Sequence, residues 1–316
     1  MKVGLITIHD IYNYGSVLQA FAAKKVLSWN AIDAQLIDYK YPNRTHSTDT
    51  GVFDRSKRAA FKKINFLMKN ALPGKPASIY VARYKEVKSS WYGEMSRAYV
   101  TNMDLQNEPP IYDKYVVGSD QVWHPRTVKS DATFFLDFCP KGQQKFSFAS
   151  SFGVTEIPSR LKGYYRRNLA SFDKISVRET SALRLIRKLT GREAELVLDP
   201  TLLLSKQHWL EHAVNPDIDE PFILCYGFDP KNKNMEKLAI EIQRKTGWKI
   251  VRLNGKAYNY FSKSMQYVLD AGPREWLGYF LNARFILGQS FHATAFAVNF
   301  QRPFLSLLRG DPSHDS

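Results

Sequence analysis

One histidine, His292, stands where a short apolar run gives way to a helix-like one in RFILGQSFHATAFAVNFQRPFLSL. It falls in the first turn of a predicted helix, where the macrodipole disfavours a protonated imidazole by ~0.3–1 kcal/mol. The same end of the helix presents unsatisfied backbone N–H groups and favours an anion. A phosphate or carboxylate bound there offsets the dipole, so His292 reads as a proton donor made ready by an anionic ligand. The small residues Ala293, Thr294, Ala295 and Ala297 leave room for a ligand or a neighbouring backbone to come close.

Other candidates fall at the carboxyl ends of predicted strands, where open parallel sheets bind ligands. They are Tyr14, Gly15 and Ser16; Gly118, Ser119 and Asp120; Arg178; Asp199; and Ser290 beside His292. Each also has a plainer reading. Gly15 fits a turn, Asp120 a helix cap and Asp199 before Pro200 a turn. Arg178 next to Glu179 fits a surface ion pair of little energetic weight. His9, His124 and His208 lack partners at a recognisable spacing. Zinc spacings, Walker-type glycine loops and the G-x-S-x-G turn are all missing.

The elements that must position these residues alternate. KVGLITI reads as a strand, HDIYNYGS as a loop, VLQAFAAKKVLSW as a helix and AQLIDYKY as a second strand, which is a βαβ unit. KYVVGSD, KFSFASSFG, KISVRE and AELVLDP supply further strands, with PSRLKGYYRRNLASF and TSALRLIRKLTG as helices between them. A second alternating set follows: FILCYGF, NMEKLAIEIQRKTG, KIVRLN, GPREWLGYFLNA, RFILGQ, the helix of His292, and QRPFLSL. The expected fold is α/β, two Rossmann-like domains facing a cleft. The first covers residues 1–205 with a basic helical insertion at about 45–107, a linker covers 206–220, and the second covers 221–316. The chain ends in GDPSHDS soon after a strand, where a closing helix is expected, so the second domain reads as truncated.

Composition narrows the class. A length of 316 residues favours two domains, and 44% hydrophobic with 14% aromatic residues is ample for packed cores. The start shows no signal-peptide pattern, and no apolar run reaches the ~18 residues of a membrane span. Cys139 and Cys225 are expected to be buried free thiols, pointing to a cytoplasmic protein. The formal net charge is +15. Between Asp54 and Arg97 eleven Lys or Arg face three acids, interleaved with Phe61, Phe66, Tyr80, Tyr84, Trp91 and Tyr92. A second basic cluster runs from Arg160 to Arg192. Such charge attracts polyanions, anionic membrane surfaces or phosphorylated substrates. No nucleic-acid motif accompanies it, so a nucleic-acid partner is not expected.

Taken together, NYGSVLQAFA, YVVGSDQVW, FASSFG, ISVRE, VLDPTLLL, AGPREWL and SFHATAFAVNFQRPF resemble the polysaccharide pyruvyl transferase family, in the family's order from Val3 to about Leu307. The resemblance implies a GT-B-like pair of Rossmann-like domains. It also implies phosphoenolpyruvate as co-substrate, a saccharide hydroxyl pair as acceptor and a pyruvate ketal as product, with neither metal nor other cofactor. The family's anion-binding arginine carries onto Arg178 and its essential histidine onto His292, and Asp120 and Asp199 match acidic positions. Ala293 departs from the family's usual glycine.

On this reading Arg178 holds a donor oxyanion bidentately. His292 serves as acid or phosphate contact, and Asp120 or Asp199 as base on the acceptor hydroxyl. Ser290 and Thr294 add hydrogen bonds, and Gly15, Ser16 and Ser119 complete the expected donor site. The acceptor is polymeric, soluble or lipid-linked; in the last case the basic patch holds the enzyme at the inner membrane face. Two alternatives stand beside this reading. One is a glycosyltransferase of the same architecture with a nucleotide-sugar donor. The other is a non-catalytic binder of polyanion or membrane.

Overall fold

The computed structural model describes residues 1–40, 76–126, 132–227, 233–253 and 263–308. Residues 45–75 of the basic segment read from sequence at about 45–107 lie outside the described residues, as does the terminal GDPSHDS. The described residues fall into two compact units, one formed by 1–40, 91–126 and 132–204, the other by 76–90, 205–227, 233–253 and 263–308.

In the first unit the chain runs β1 (Lys2–Ile6), α1 (Tyr14–Trp29) and β2 (Asp33–Leu36). The helix α2 (Pro76–Tyr92) contributes its last two residues here. Then come α3 (Asn102–Asn107), β3 (Lys114–Val117), β4 (Gln144–Ser147), α4 (Ser159–Ala170), β5 (Ser176–Val177), α5 (Thr180–Thr190), β6 (Glu195–Leu196) and α6 (Pro200–Leu203). The order β2-β1-β3-β4 is parallel throughout, with Val3 opposite both Ala34 and Lys114. Single bridges, Phe146 to Lys174 and Ser150 to Val177, continue it into the parallel β5–β6 pair. Strands covered on both faces read as unbroken apolar runs, and Val3 to Ile6 are all buried.

The helix α1 begins earlier than its sequence suggests. Asn13 caps it by accepting from the Ser16 amide at 3.3 Å, so Tyr14, Gly15 and Ser16 form its first turn and not a loop. Its residues Tyr14 to Ala23 are buried all round, and the helix packs on α6. The short helix α3, closed by a reciprocal cap between Thr101 and Asp104, lies at the end of the segment read from sequence as a helical insertion. Trp123 centres the core of this unit, stacked on Phe135 at 5.9 Å and donating its indole N–H to the Phe134 carbonyl.

The second unit contains α7 (Lys206–Leu210), β7 (Phe222–Tyr226), α8 (Lys233–Thr246), β8 (Lys249–Leu253), β9 (Gln266–Val268), α9 (Pro273–Asn282), β10 (Phe285–Gly288), α10 (Phe291–Asn299) and β11 (Phe304–Ser306). Its sheet is parallel in the order β11-β10-β7-β8-β9. Every strand and helix read from sequence here is present; β9 is additional. Residues 206–220, read as a linker, hold α7, whose Trp209 is buried edge-on against Phe296 of α10 at 5.0 Å. Most of α2 belongs to this unit. Its Arg83 donates to the Asp270 carbonyl and pairs with Glu275, which itself caps α9 through the Gly272 amide.

Candidate functional site

The first unit gathers Ser16, Ser119, Asp120, Arg178 and Asp199 at the carboxyl ends of β1, β3, β5 and β6. Arg178 follows β5 directly and is almost wholly buried, 6% exposed at the side chain, with Nη1 2.8 Å from Asp199 Oδ2. Ser119 Oγ donates to the same carboxylate oxygen at 2.7 Å. Asp199 Oδ1 accepts from the Thr201 amide at 3.0 Å and the Thr201 hydroxyl at 2.6 Å. Asp199 is therefore the cap of α6 and a fully engaged buried carboxylate, not an ordinary turn residue. Arg178 thus pairs most closely with a residue 21 positions away, and the pair with its neighbour Glu179, at 3.9 Å, is buried and not at the surface.

Asp120 is placed differently. It lies half-buried, and no helix follows for it to cap. Its φ is 71°, in the left-handed region that non-glycine residues enter only under constraint. Its carbonyl accepts from the Val122 and Ser151 amides, and Oδ1 accepts from the Gln121 amide at 2.8 Å. Oδ2 accepts the Ser16 hydroxyl at 2.6 Å, which brings the carboxylate to the first turn of α1. The positive end of the α1 dipole favours a negative charge there. Ser16 and Ser119 thus give their protons to Asp120 and Asp199, while Gly15 lies buried beside Ser16 in the same turn.

The electrostatics follow from this crowding. Burial works against the Arg178 cation, but Asp199, Asp120 and Glu179 outweigh it and hold the guanidinium more firmly protonated than an ordinary arginine. Glu179 is no surface partner. Burial pushes its carboxyl up, opposed in part by Arg178 and by hydrogen bonds from the loop it anchors. That loop donates the Phe152 amide at 2.8 Å and the Gly153 amide at 3.4 Å. One guanidinium is thus set among three carboxylates.

In the second unit, Ser290, His292 and Thr294 share the first turn of α10, as expected. Ser290 caps the helix, its Oγ accepting from the Ala293 amide at 3.1 Å. Thr294 Oγ1 lies 3.0 Å from Ser306 Oγ on β11 and reaches back to the Ser290 carbonyl. His292 is half-buried, its ring edge-on to Phe291. Ala293 faces β10. A Cβ on Gly288 would come within 2.9 Å of Ala293 Cβ, so the close seating of α10 depends on that glycine.

One pairing was missed from sequence. His9, set aside for want of a partner, is buried after β1 with Nε2 3.2 Å from Asp38 Oδ1 and Nδ1 3.0 Å from the Thr7 carbonyl. The register that sets Leu5 opposite Leu36 carries His9 toward Asp38 past the strand ends, a signal that follows once β1 and β2 are taken as parallel neighbours. Both ring nitrogens are held by the protein's own acceptors, so this dyad ties loops together and has no nitrogen to offer a substrate. Among the described residues no group of three or more His, Cys, Asp or Glu is arranged to hold a metal ion, and no helix is long and apolar enough to cross a membrane.

Comparison with known proteins agrees with this architecture. The UDP-GlcNAc 2-epimerase of Neisseria meningitidis, solved with UDP-GlcNAc, superposes with a TM-score of 0.53 at 13% identity, covering 98% of this chain and 83% of that one. The UDP-N-acetylglucosamine 2-epimerase of Rickettsia bellii gives 0.51 at 13% identity, covering 99% and 80%. At such identity the likeness speaks for the fold, which is GT-B-like, and not for the reaction. No curated protein matches the chain in sequence. The profile of one family, polysaccharide pyruvyl transferase, matches residues 13–311 and so takes in the Ser16–Asp120, Arg178–Asp199 and His292 positions alike; the chain belongs to the polysaccharide pyruvyl transferase family.

Proposed function

We propose that this transferase moves the pyruvate unit of phosphoenolpyruvate onto a pair of saccharide hydroxyls, forming a pyruvate ketal in the biosynthesis of a cell-surface glycan. The observation that carries the reading is the family match, which spans both units and includes every residue given a role. Protonation of the donor's methylene carbon leaves an oxocarbenium-like centre at C2. One acceptor hydroxyl adds there and gives up its proton, phosphate leaves with the C–O electron pair, and the neighbouring hydroxyl closes the ketal. No oxidant or reductant is consumed.

Arg178 supplies positive charge for a donor oxyanion, and the amide end of α10 likewise favours an anionic group. At Arg178 the donor competes with Asp199 for the guanidinium. His292 passes the proton to the methylene carbon or holds the phosphate. Ser290, whose oxygen accepts from Ala293, keeps its own proton for a donor oxygen, and Thr294 follows it in the same turn. Asp120 is the base on the acceptor hydroxyl, since Asp199 already accepts from Arg178, Ser119 and Thr201. Ser16, Ser119 and Gly15 then shape the site by holding the two carboxylates and the α1 turn.

A saccharide array incubated with phosphoenolpyruvate, read by released phosphate and by an acid-labile mass gain, tests the reaction. His292→Ala and Arg178→Ala should both abolish it. Full turnover in either variant would remove that residue from the mechanism. A melting temperature raised by nucleotide sugars and not by phosphoenolpyruvate would instead favour a glycosyltransferase.

We further propose that the acceptor is lipid-linked and met at the inner membrane face. Helices α4 and α5 support this, for they carry Arg160, Lys162, Arg166, Arg167, Arg184, Arg187 and Lys188 without one acidic residue. Sedimentation with anionic vesicles should occur at low salt and fade as salt rises. Absence of binding at low salt would refute the membrane proposal and leave the transfer reaction standing.

A further inference from the structure

Asp120 is held in a left-handed turn, and the groups that hold it lie on neighbouring elements. Its preceding peptide carbonyl, Ser119 O, accepts the Thr7 hydroxyl at 2.9 Å. That hydroxyl has a single proton and spends it there. Its oxygen in turn accepts from Gln19 Nε2 at 3.0 Å. The same amide nitrogen, with two protons to share among three acceptors, also lies 3.1 Å from the Ile8 carbonyl and 3.0 Å from the Ser16 carbonyl. Thr7, Gln19 and Ser119 are essentially inaccessible to solvent. Gly118 completes the arrangement, because a Cβ there would sit 2.9 Å from Thr7 Cβ and 3.2 Å from its Oγ1.

From these contacts we infer that Thr7 and Gln19 are positioning residues for the reaction. They clamp the Ser119–Asp120 peptide so that Asp120 faces the Ser16 hydroxyl while Ser119 faces Asp199 and Arg178. Two features separate this from ordinary core satisfaction. First, the clamp acts on the one peptide that must keep Asp120 at φ 71°, a conformation that costs energy and reverts when its restraints are removed. Second, Gln19 bonds Thr7 and the carbonyl of Ser16 together, so one buried side chain fixes both partners of the 2.6 Å Ser16–Asp120 hydrogen bond. Neither residue needs to reach substrate.

The inference rests on the reading of Asp120 as the base, and the tests keep the two apart. Thr7→Val preserves shape and removes the hydroxyl, leaving Ser119 O without its donor in the interior. A misplacement of about 1 Å can cost on the order of 10²-fold in rate. Accordingly kcat should fall by ~10–100-fold, with KM for donor and acceptor little changed. Thr7→Ser should recover most of the loss, and Gly118→Ala, which pushes the clamp from the other side, should reproduce it.

The structural readout needs no turnover. Backbone amide resonances of Asp120 and Gln121, or a crystal structure, should show Asp120 leaving the left-handed region in Thr7→Val. An unchanged Asp120 backbone in that variant, or a Thr7→Ser enzyme as slow as Thr7→Val, would overturn the positioning role. Should Thr7→Val fail to fold, Thr7→Ser and Gly118→Ala carry the same comparison. If Asp120→Asn kept full activity, the reading of the base would fail, while the amide shifts would still decide the clamp.

Discussion

Of the three carboxylates around the Arg178 guanidinium, Asp199 and Asp120 are left with different work by their hydrogen bonds. Asp199 accepts four donors and is closed to solvent, whereas Asp120 is half-buried. Asp120→Asn should therefore lower kcat by ~10²–10⁴-fold, the range lost with a general base, and leave thermal unfolding nearly unchanged. Asp199→Asn should act on stability, because it strips the counter-charge from a buried arginine. Breaking such a pair costs about 3–5 kcal/mol, and the retained amide hydrogen bonds place the effect at the lower end. Parallel kcat and calorimetric measurements check the split, and a variant pair with the opposite pattern would exchange the two roles. This division was beyond the reach of sequence, because Asp199 meets Ser119 across 80 residues and only the folded sheet brings those two together.

At the scale of elements, the seating of α10 depends on the Gly288–Ala293 contact. Gly288→Ala should destabilise the second unit by about 1–3 kcal/mol through overpacking. Ala293→Gly in the same chain should relieve the clash while adding a helix-propensity cost of up to ~1 kcal/mol. Urea midpoints of the single and double variants test this; an additive loss would show that the two positions do not meet. The helix itself was legible. A polar Ser290 ahead of small and apolar residues announces a cap and a packed helix, and the alternating apolar runs announced the parallel strands. Where a segment departs from those patterns the reading slipped. Gly15 drew α1 into a loop because glycine usually breaks helices, yet the Asn13 cap and burial on all sides carry it. The strand β9 is three residues long, too short for a periodic signal. Residues 206–220 are polar enough to read as a linker, and only the burial of Trp209 shows otherwise.

For the molecule as a whole, Asp38 links stability to pH. Burial alone would raise its carboxyl, but hydrogen bonds from His9 and Lys40 outweigh burial and hold it below the ordinary carboxylate range. A depressed folded value contributes stability that is present above the unfolded pKa of about 4 and lost as pH falls through the folded one. Asp38→Asn should therefore lower the melting temperature at neutral pH and flatten its decline on acidification below about pH 4. Melting curves from pH 7 downward that stay parallel to the parent would contradict this. The left-handed backbone at Asp120 has an evolutionary corollary. Glycine enters that conformation at less cost than aspartate, even with the local bond from the Gln121 amide. A library randomised at this position and selected only for survival on heating should thus enrich glycine, and the survivors should no longer make product: robustness and usefulness pull this one codon in opposite directions.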